Sequence, residues 1–330
     1  NITTLPGNSG SYTVISTVSG CSSLVSVATS VTIDPLPLVT PIVTPATTTV
    51  CNGSTVTVNV AGSQAGINYE LFNGGTSLSS TTAGTGGAIN LVTSALTANT
   101  TITVRATNPV TSCSVLLTGT SVVTVNPIPV TPTINPVGPV VVCEGTAAIV
   151  LTSSAGAGNQ WYKDGALIGG ATATTLNITT LPGNSGSYTV ISTVSGCASG
   201  VSAAVAVTIN QLPLTSVGVS PVSAIICSGS TVTVSLTGTE TGINYQLFDG
   251  PSPLSAAVAG TGVINITTTP IIANITISVF ATNPVTGCAI LLGGTTAVTL
   301  SATIPTPIIS PPGPLAVCVG DPAVILTSSA

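Results

Sequence analysis

Residues 177–197 read Asn177-Ile-Thr-Thr-Leu-Pro-Gly-Asn-Ser-Gly-Ser-Tyr-Thr-Val-Ile-Ser-Thr-Val-Ser-Gly-Cys197, and the same letters stand unchanged at 1–21. An exact copy that far along the chain makes an internal repeat the first property to explain. The copies also imply that the chain begins and ends inside repeat units.

Working outward from this stretch, two module types alternate, one marked by Trp161 and one by a Tyr-Leu-Phe strand. Residues 1–34 read as the C-terminal part of a Trp-type module, ending in the alternation Val25, Val27, Thr29, Val31, Ile33. A proline-rich joint from Asp34 leads into a Tyr-Leu-Phe module at 40–126, with Cys51-Asn-Gly-Ser, Asn68-Tyr-Glu-Leu-Phe72 and an Asn108-Pro approach to Cys113. Residues 127–210 form a complete Trp-type module. Residues 211–301 repeat the second type with Cys227-Ser-Gly-Ser, Asn244-Tyr-Gln-Leu-Phe248 and Cys288, and 302–330 open another Trp-type module.

No segment sustains an apolar period of 3.6. Val, Ile and Thr dominate, apolar and polar residues alternate, and turn residues recur every ~8–12 positions, which predicts sandwiches of short antiparallel strands. The fold class expected is all-β: tandem β-sandwich modules. Short Pro-rich joints predict semi-rigid spacing, hence an extended rod.

Asn159-Gln-Trp161-Tyr-Lys-Asp-Gly165 resembles the C strand and turn of an immunoglobulin-like domain, and Ser185-Gly-Ser-Tyr188 resembles the approach to strand F with its tyrosine corner. The resemblance makes Trp161, Tyr188 and the copy Tyr12 core markers. It departs at the cysteines, because Ser153 and Val190 stand about where the inter-sheet pair belongs. In this fold the first strand begins at the end of the sandwich where the F–G turn sits, so Cys143 and Cys197 can meet. Joining Cys197 to Cys227 would span a final strand and a joint. The expected bridges are therefore Cys51–Cys113, Cys143–Cys197 and Cys227–Cys288, leaving Cys21 and Cys318 unpaired. Each would close about 55–65 residues, worth ~4 kcal/mol in the chain-entropy model.

A Cys-Glu/Ser/Asn-Gly opening, a late Gly-Cys, Thr/Val-rich strands and Pro-rich joints together resemble the tandem immunoglobulin-like repeats of very large surface adhesins of Bacteroidota, including gliding-type adhesins exported by the type IX route. The resemblance covers all the modules and implies a cell-surface filament or stalk.

Composition removes most other functions. With 2 basic residues, 7 acidic and no His, the chain cannot follow a phosphate backbone, so nucleic acid is excluded as a partner. Positive mean hydropathy comes from Val, Ile, Ala and Leu interleaved with Thr and Ser, and no apolar run approaches ~20 residues, so no membrane insertion is expected. Eight Cys without His read as disulfides of an oxidising, extracellular compartment. Zero His removes nucleophilic triads and His-based acid–base pairs. The carboxylates are scattered one or two per module; Glu70 and Glu240 have no second acid close in sequence. No Asp-rich calcium loop is present, and Gly84-Thr-Gly-Gly87 reads as a turn. No enzyme activity, metal or cofactor is expected.

Two function classes remain. The first is a structural stalk or filament segment; its low charge leaves edge strands without gatekeepers and predicts self-association into filaments or bundles. The second is carbohydrate binding through exposed aromatics, with Trp161 or the pairs Tyr69/Phe72 and Tyr245/Phe248 as the stacking surface and surface glycans as ligands. Sequons stand at Asn1, Asn52, Asn99, Asn177, Asn265 and Asn274.

Overall fold

A computed structural model describes residues 1–302 and 304–329; Thr303 and Ala330, in the stretch read as a further module, lie outside the described residues. Among the described residues every regular element is a strand except two single 3-10 turns, Pro6–Asn8 and Pro182–Asn184. The chain forms two compact units, Asn1–Asn135 with Thr152–Leu176 and Thr189–Ala203, and Pro136–Leu151 with Asn177–Tyr188 and Ala204–Ala330.

In the first unit, Ile42–Thr44, Thr57–Ala61 and Ile89–Val92 form one sheet. The facing sheet runs Thr82–Ala83, Asn68–Asn73, Thr100–Thr107, Ser114–Asn126, Thr47–Cys51. Period-two patterning decides which side chains meet. Val58 and Val60 point inward from one sheet, Tyr69, Leu71, Ile102, Val104 and Ala106 from the other, and the intervening Thr and Asn stay outside. Each fully buried Val, Leu or Ile contributes roughly 1.5–3 kcal/mol. Thr47–Cys51 pairs parallel to Ser114–Asn126 with Asn126 opposite Cys51. That pairing carries Cys51 to the end of the sandwich where the chain leaves it.

The second unit repeats the plan. Gly218–Ser220, Thr233–Thr239 and Gly262–Thr267 face a sheet ordered Ser223–Ile226, Thr296–Leu300, Ile275–Thr282, Asn244–Asp249, Ser252–Pro253. Tyr245, Leu247, Ile277 and Val279 occupy the places of Tyr69, Leu71, Ile102 and Val104. Val140–Cys143 likewise pairs parallel to Val205–Asn210, with Cys143 opposite Asn210. Sheet pairs of this kind, with a parallel first-to-last strand pair and no inter-sheet disulfide among the described residues, are immunoglobulin-like sandwiches.

Identical sequence gives identical local pairing. Gly10, Ser11 and Tyr12 pair with Val31, Ser30 and Thr29, as Gly186, Ser187 and Tyr188 pair with Val207, Ala206 and Val205. Both tyrosine corners close: the Tyr12 hydroxyl donates to the Asn8 carbonyl at 2.7 Å and that of Tyr188 to Asn184 at 2.6 Å. Tyr12 is nevertheless exposed, at 39%, whereas Tyr188 is at 3%. The expectation that Tyr12 marks a core is corrected: the corner is encoded locally, but burial needs strands distant in sequence.

The cysteine pairing is corrected as well. The bridges are Cys51–Cys197 and Cys143–Cys288, each with Cα atoms 5.6 Å apart, inside the usual disulfide range. Cys51–Cys113, Cys143–Cys197 and Cys227–Cys288 do not form, and Cys113 and Cys227 are free alongside Cys21 and Cys318. Those three pairings take both cysteines of a bridge from one sandwich. The parallel edge strand instead delivers Cys51 and Cys143 to the exit end of their sandwiches, where the following sandwich presents its own late Cys.

Candidate functional site at the disulfide-stapled joints

Each joint is built from three short pieces with turn chemistry suited to its place. The first is the edge-strand end. After Cys51, Gly53 adopts φ +82°, its N–H donates to the Leu96 carbonyl at 2.8 Å, and the Ser54 N–H returns to the Cys51 carbonyl at 3.0 Å. Cys143 precedes the same turn: the Gly145 N–H donates to Thr180 at 3.1 Å and that of Glu144 to Asn210 at 2.8 Å. A left-handed residue two places after the Cys is why a Gly stands there.

The second piece is the hairpin that presents the partner sulfur. In Ser195-Gly196-Cys197, Ser195 and Gly196 have φ of 50° and 79°, and Val194 pairs with Cys197. The hairpin is pinned by Ser199, whose N–H donates to the Ser192 carbonyl at 2.8 Å while its Oγ accepts from the Ser192 N–H at 3.0 Å. Before Cys288, Asn283 organises the turn instead: its Oδ1 accepts from the Val285 N–H at 2.9 Å, and the Gly287 N–H donates to its carbonyl at 2.8 Å.

The third piece locks the surroundings. Asn126 donates from Nδ2 to the Ser195 carbonyl at 2.9 Å, beside the Cys51–Cys197 bridge. Cys197 and Cys288 are buried, at 1% and 0% exposure, so the hairpin sulfurs are shielded from soluble thiols. The proline-rich entry to each Tyr-Leu-Phe sandwich is tied too: Leu38 donates its N–H to Gln64 Oε1 and Leu214 to Glu240 Oε1.

The other candidates resolve as packing. Trp161 is fully buried and its Nε1 donates to the Ala173 carbonyl at 2.9 Å. Tyr69, Tyr245 and Phe72 are buried, so none of the three offers a sugar a face to stack on. Phe248 is half-buried and meets Phe280 edge-on at 5.1 Å between ring centroids. In the earlier sandwich Arg105 takes the place of Phe280, its guanidinium 3.8 Å from the Phe72 ring centroid and 3.5 Å from Glu70. This stacked ion pair, partly open to water, is worth little in stability. Tyr69 and Tyr245 accept backbone N–H bonds from Gln64 and Glu240 at 2.8 Å each. Burial foremost, with the Glu240 charge assisting against its backbone hydrogen bond, raises the Tyr245 hydroxyl above the usual tyrosine value. Among the described residues no three His, Cys, Asp or Glu cluster as metal ligands, and no helix is long and apolar enough to cross a membrane. All six sequon Asn residues are exposed.

Sequence reasoning missed Asn126 and the backward reach of Cys197 and Cys288. A signal existed: Cys51–Cys197 and Cys143–Cys288 have nearly equal separations, 146 and 145, although they join unlike module types in opposite order.

No protein-family model matches the chain, and no curated protein matches it. Among solved structures it is similar to titin domains I67–I69 in an E-to-A variant, at 13% identity and TM-score 0.45, covering 80% of this chain and 98% of that one. It is also similar to the insect immune protein hemolin, at 14% identity and TM-score 0.30 over 90% of this chain and 83% of that one. A third is Drosophila OTK extracellular domains 3–5, at 12% and 0.29 over 78% and 95%. Strand order and burial within the chain itself identify it as a series of immunoglobulin-like β-sandwiches joined by disulfides.

Proposed function

We propose that this chain is a non-enzymatic repeat segment of an extracellular filament or adhesin stalk, of the giant Bacteroidota surface-adhesin kind exported by the type IX route, serving attachment, motility or matrix formation. Its modules are 1–34, 40–126, 127–210, 211–301 and 302–330, set in series as a rod that self-associates through weakly charged surfaces. One observation carries this reading: both bridges tie a sandwich to the next across a proline-rich joint rather than stapling a sandwich internally. A joint-spanning bond adds nothing to a binding face, but it carries tension from module to module and limits how far the chain can be drawn out. An oxidising exterior keeps such bonds closed.

Pulling a single molecule from its two ends tests this. The loops overlap, so the shortest covalent route crosses from Cys51 to Cys197, returns to Cys143 and crosses to Cys288. That route is about 147 residues, or ~510 Å fully extended at roughly 3.5 Å each. Extension is expected to stop near this length until reductant is added, then reach ~1,150 Å for the whole chain. Reaching the longer limit without reductant would end the load-bearing reading.

A further inference from the structure

The chain contains two Asn-Gly pairs, Asn52-Gly53 and Asn73-Gly74, both exposed and both in the 40–126 sandwich. An Asn before Gly can react with its own backbone, because no Cβ shields the Gly nitrogen and the Gly backbone turns freely. As sequence the two pairs are equivalent. The fold gives them different surroundings.

At the first pair the attacking nitrogen is already engaged. The Gly53 N–H donates to the Leu96 carbonyl at 2.8 Å, and the Asn52 N–H donates to the Asn126 carbonyl at 2.9 Å. The Ser54 N–H closes the turn onto the Cys51 carbonyl at 3.0 Å, and Cys51 itself is held by its bridge to Cys197.

The second pair is open. Asn73 ends the strand Asn68–Asn73 and pairs with Thr76 across the two-residue turn Gly74-Gly75. Gly74 has φ +57°, and a Cβ placed on it would meet nothing within 4 Å. Among the described residues, neither the Gly74 N–H nor the Asn73 amide makes a hydrogen bond.

We infer that Asn73 is a site of spontaneous deamidation, turning to aspartate and isoaspartate, while the fold protects Asn52 from the same reaction. Hydroxide removes the Gly74 N–H proton, and the nitrogen attacks Asn73 Cγ. The new N–Cγ bond closes a succinimide as the Cγ–Nδ2 bond breaks, and the departing nitrogen takes up a proton and leaves as ammonia. Water then opens the ring. Attack at Cγ restores the backbone and leaves aspartate; attack at the main-chain carbonyl leaves isoaspartate. The net change is one water consumed and one ammonia released, with no oxidant or reductant.

The later sandwich already carries the aspartate product at the corresponding place. Asp249 pairs with Ser252 across Gly250-Pro251, with Gly250 at φ +53°. Aspartate at 73 therefore suits the hairpin, whereas isoaspartate inserts one backbone carbon before the turn and disturbs the pairing with Thr76. Either product makes a chain of formal net charge -5 one unit more negative.

The test incubates the full, unreduced chain in mildly alkaline heavy-oxygen water. A protease that cuts after Phe72 then separates the two Asn peptides, and mass spectrometry follows label entering each. Asn73 should convert about tenfold faster than Asn52, the factor set by first breaking one backbone hydrogen bond. In reduced chain unfolded by urea, the two rates should converge. Asn73→Asp should keep the parent's urea midpoint and take up no label in that peptide. Equal rates in the folded chain, no conversion of Asn73 there, or the same tenfold ratio after unfolding would each overturn the inference.

Discussion

Replacing Cys51 by Ser deletes one staple while altering a half-buried edge residue, and the effect on the middle sandwich can be worked out. If residues 42–126 stay folded, Cys51 remains fixed opposite Asn126. The unfolded middle sandwich is then a loop from Asn126 to Cys197, a separation of 71. In the chain-entropy model closing such a loop is worth ~4 kcal/mol. With a urea slope of about 1–3 kcal/mol/M for a domain this size, losing it should lower the midpoint by ~1.5–4 M. Trp161, the single Trp and fully buried, reports on this sandwich, so its fluorescence against urea is the assay. Cys197→Ser should give the same shift, and the double variant no more than either, because all three delete one bond. Cys113→Ser should leave the midpoint in place. Cys51→Ser within ~0.3 M of the parent, or Cys113→Ser shifting as far as Cys51→Ser, would refute the reasoning; ~0.3 M is about the resolution of such extrapolations.

Gly84 and Gly260 sit where a Cβ would strike the carbonyl of Gln64 or Glu240 and the ring of Tyr69 or Tyr245. Gly260→Ala should therefore destabilise its sandwich by about 1–3 kcal/mol in thermal or urea unfolding, whereas Gly183→Ala, with no atom near, should cost far less. The raised value of Tyr245 has a signed consequence. Its contribution is fully present below the ordinary tyrosine value near 10. It is lost as pH rises from there through the raised folded value, because the unfolded state releases its proton first. Stability measured from pH 9 upward should fall more steeply for the parent than for Tyr245→Phe; equal slopes would show that this hydroxyl is not responsible.

How legible was this in the sequence? Alternation in Thr101–Arg105 and Thr55–Val60, with turns at regular spacing, led directly to the sandwiches, because strand formation and facing depend on neighbours two places away. The tyrosine corner was legible for the same reason, and it closes at Tyr12 even where the ring is exposed. Burial of Tyr12 was not, since it depends on strands supplied from elsewhere. The bridges were illegible to any reading confined to one sandwich. The missing step was the parallel pairing of Thr47–Cys51 with Ser114–Asn126, which places the second Cys of its module at the exit. Once that strand is parallel, Asn126, Cys51 and the next hairpin must share one joint.

The account depends most directly on which sulfurs are joined. Digestion of the unreduced chain with a protease other than trypsin, since Arg105 and Lys163 are the only basic residues, followed by mass identification of linked peptides, reads this out. The stapled-joint account predicts Cys51 linked to Cys197 and Cys143 linked to Cys288. Peptides joining Cys51 to Cys113 and Cys227 to Cys288 would show each sandwich closed on itself and would contradict it.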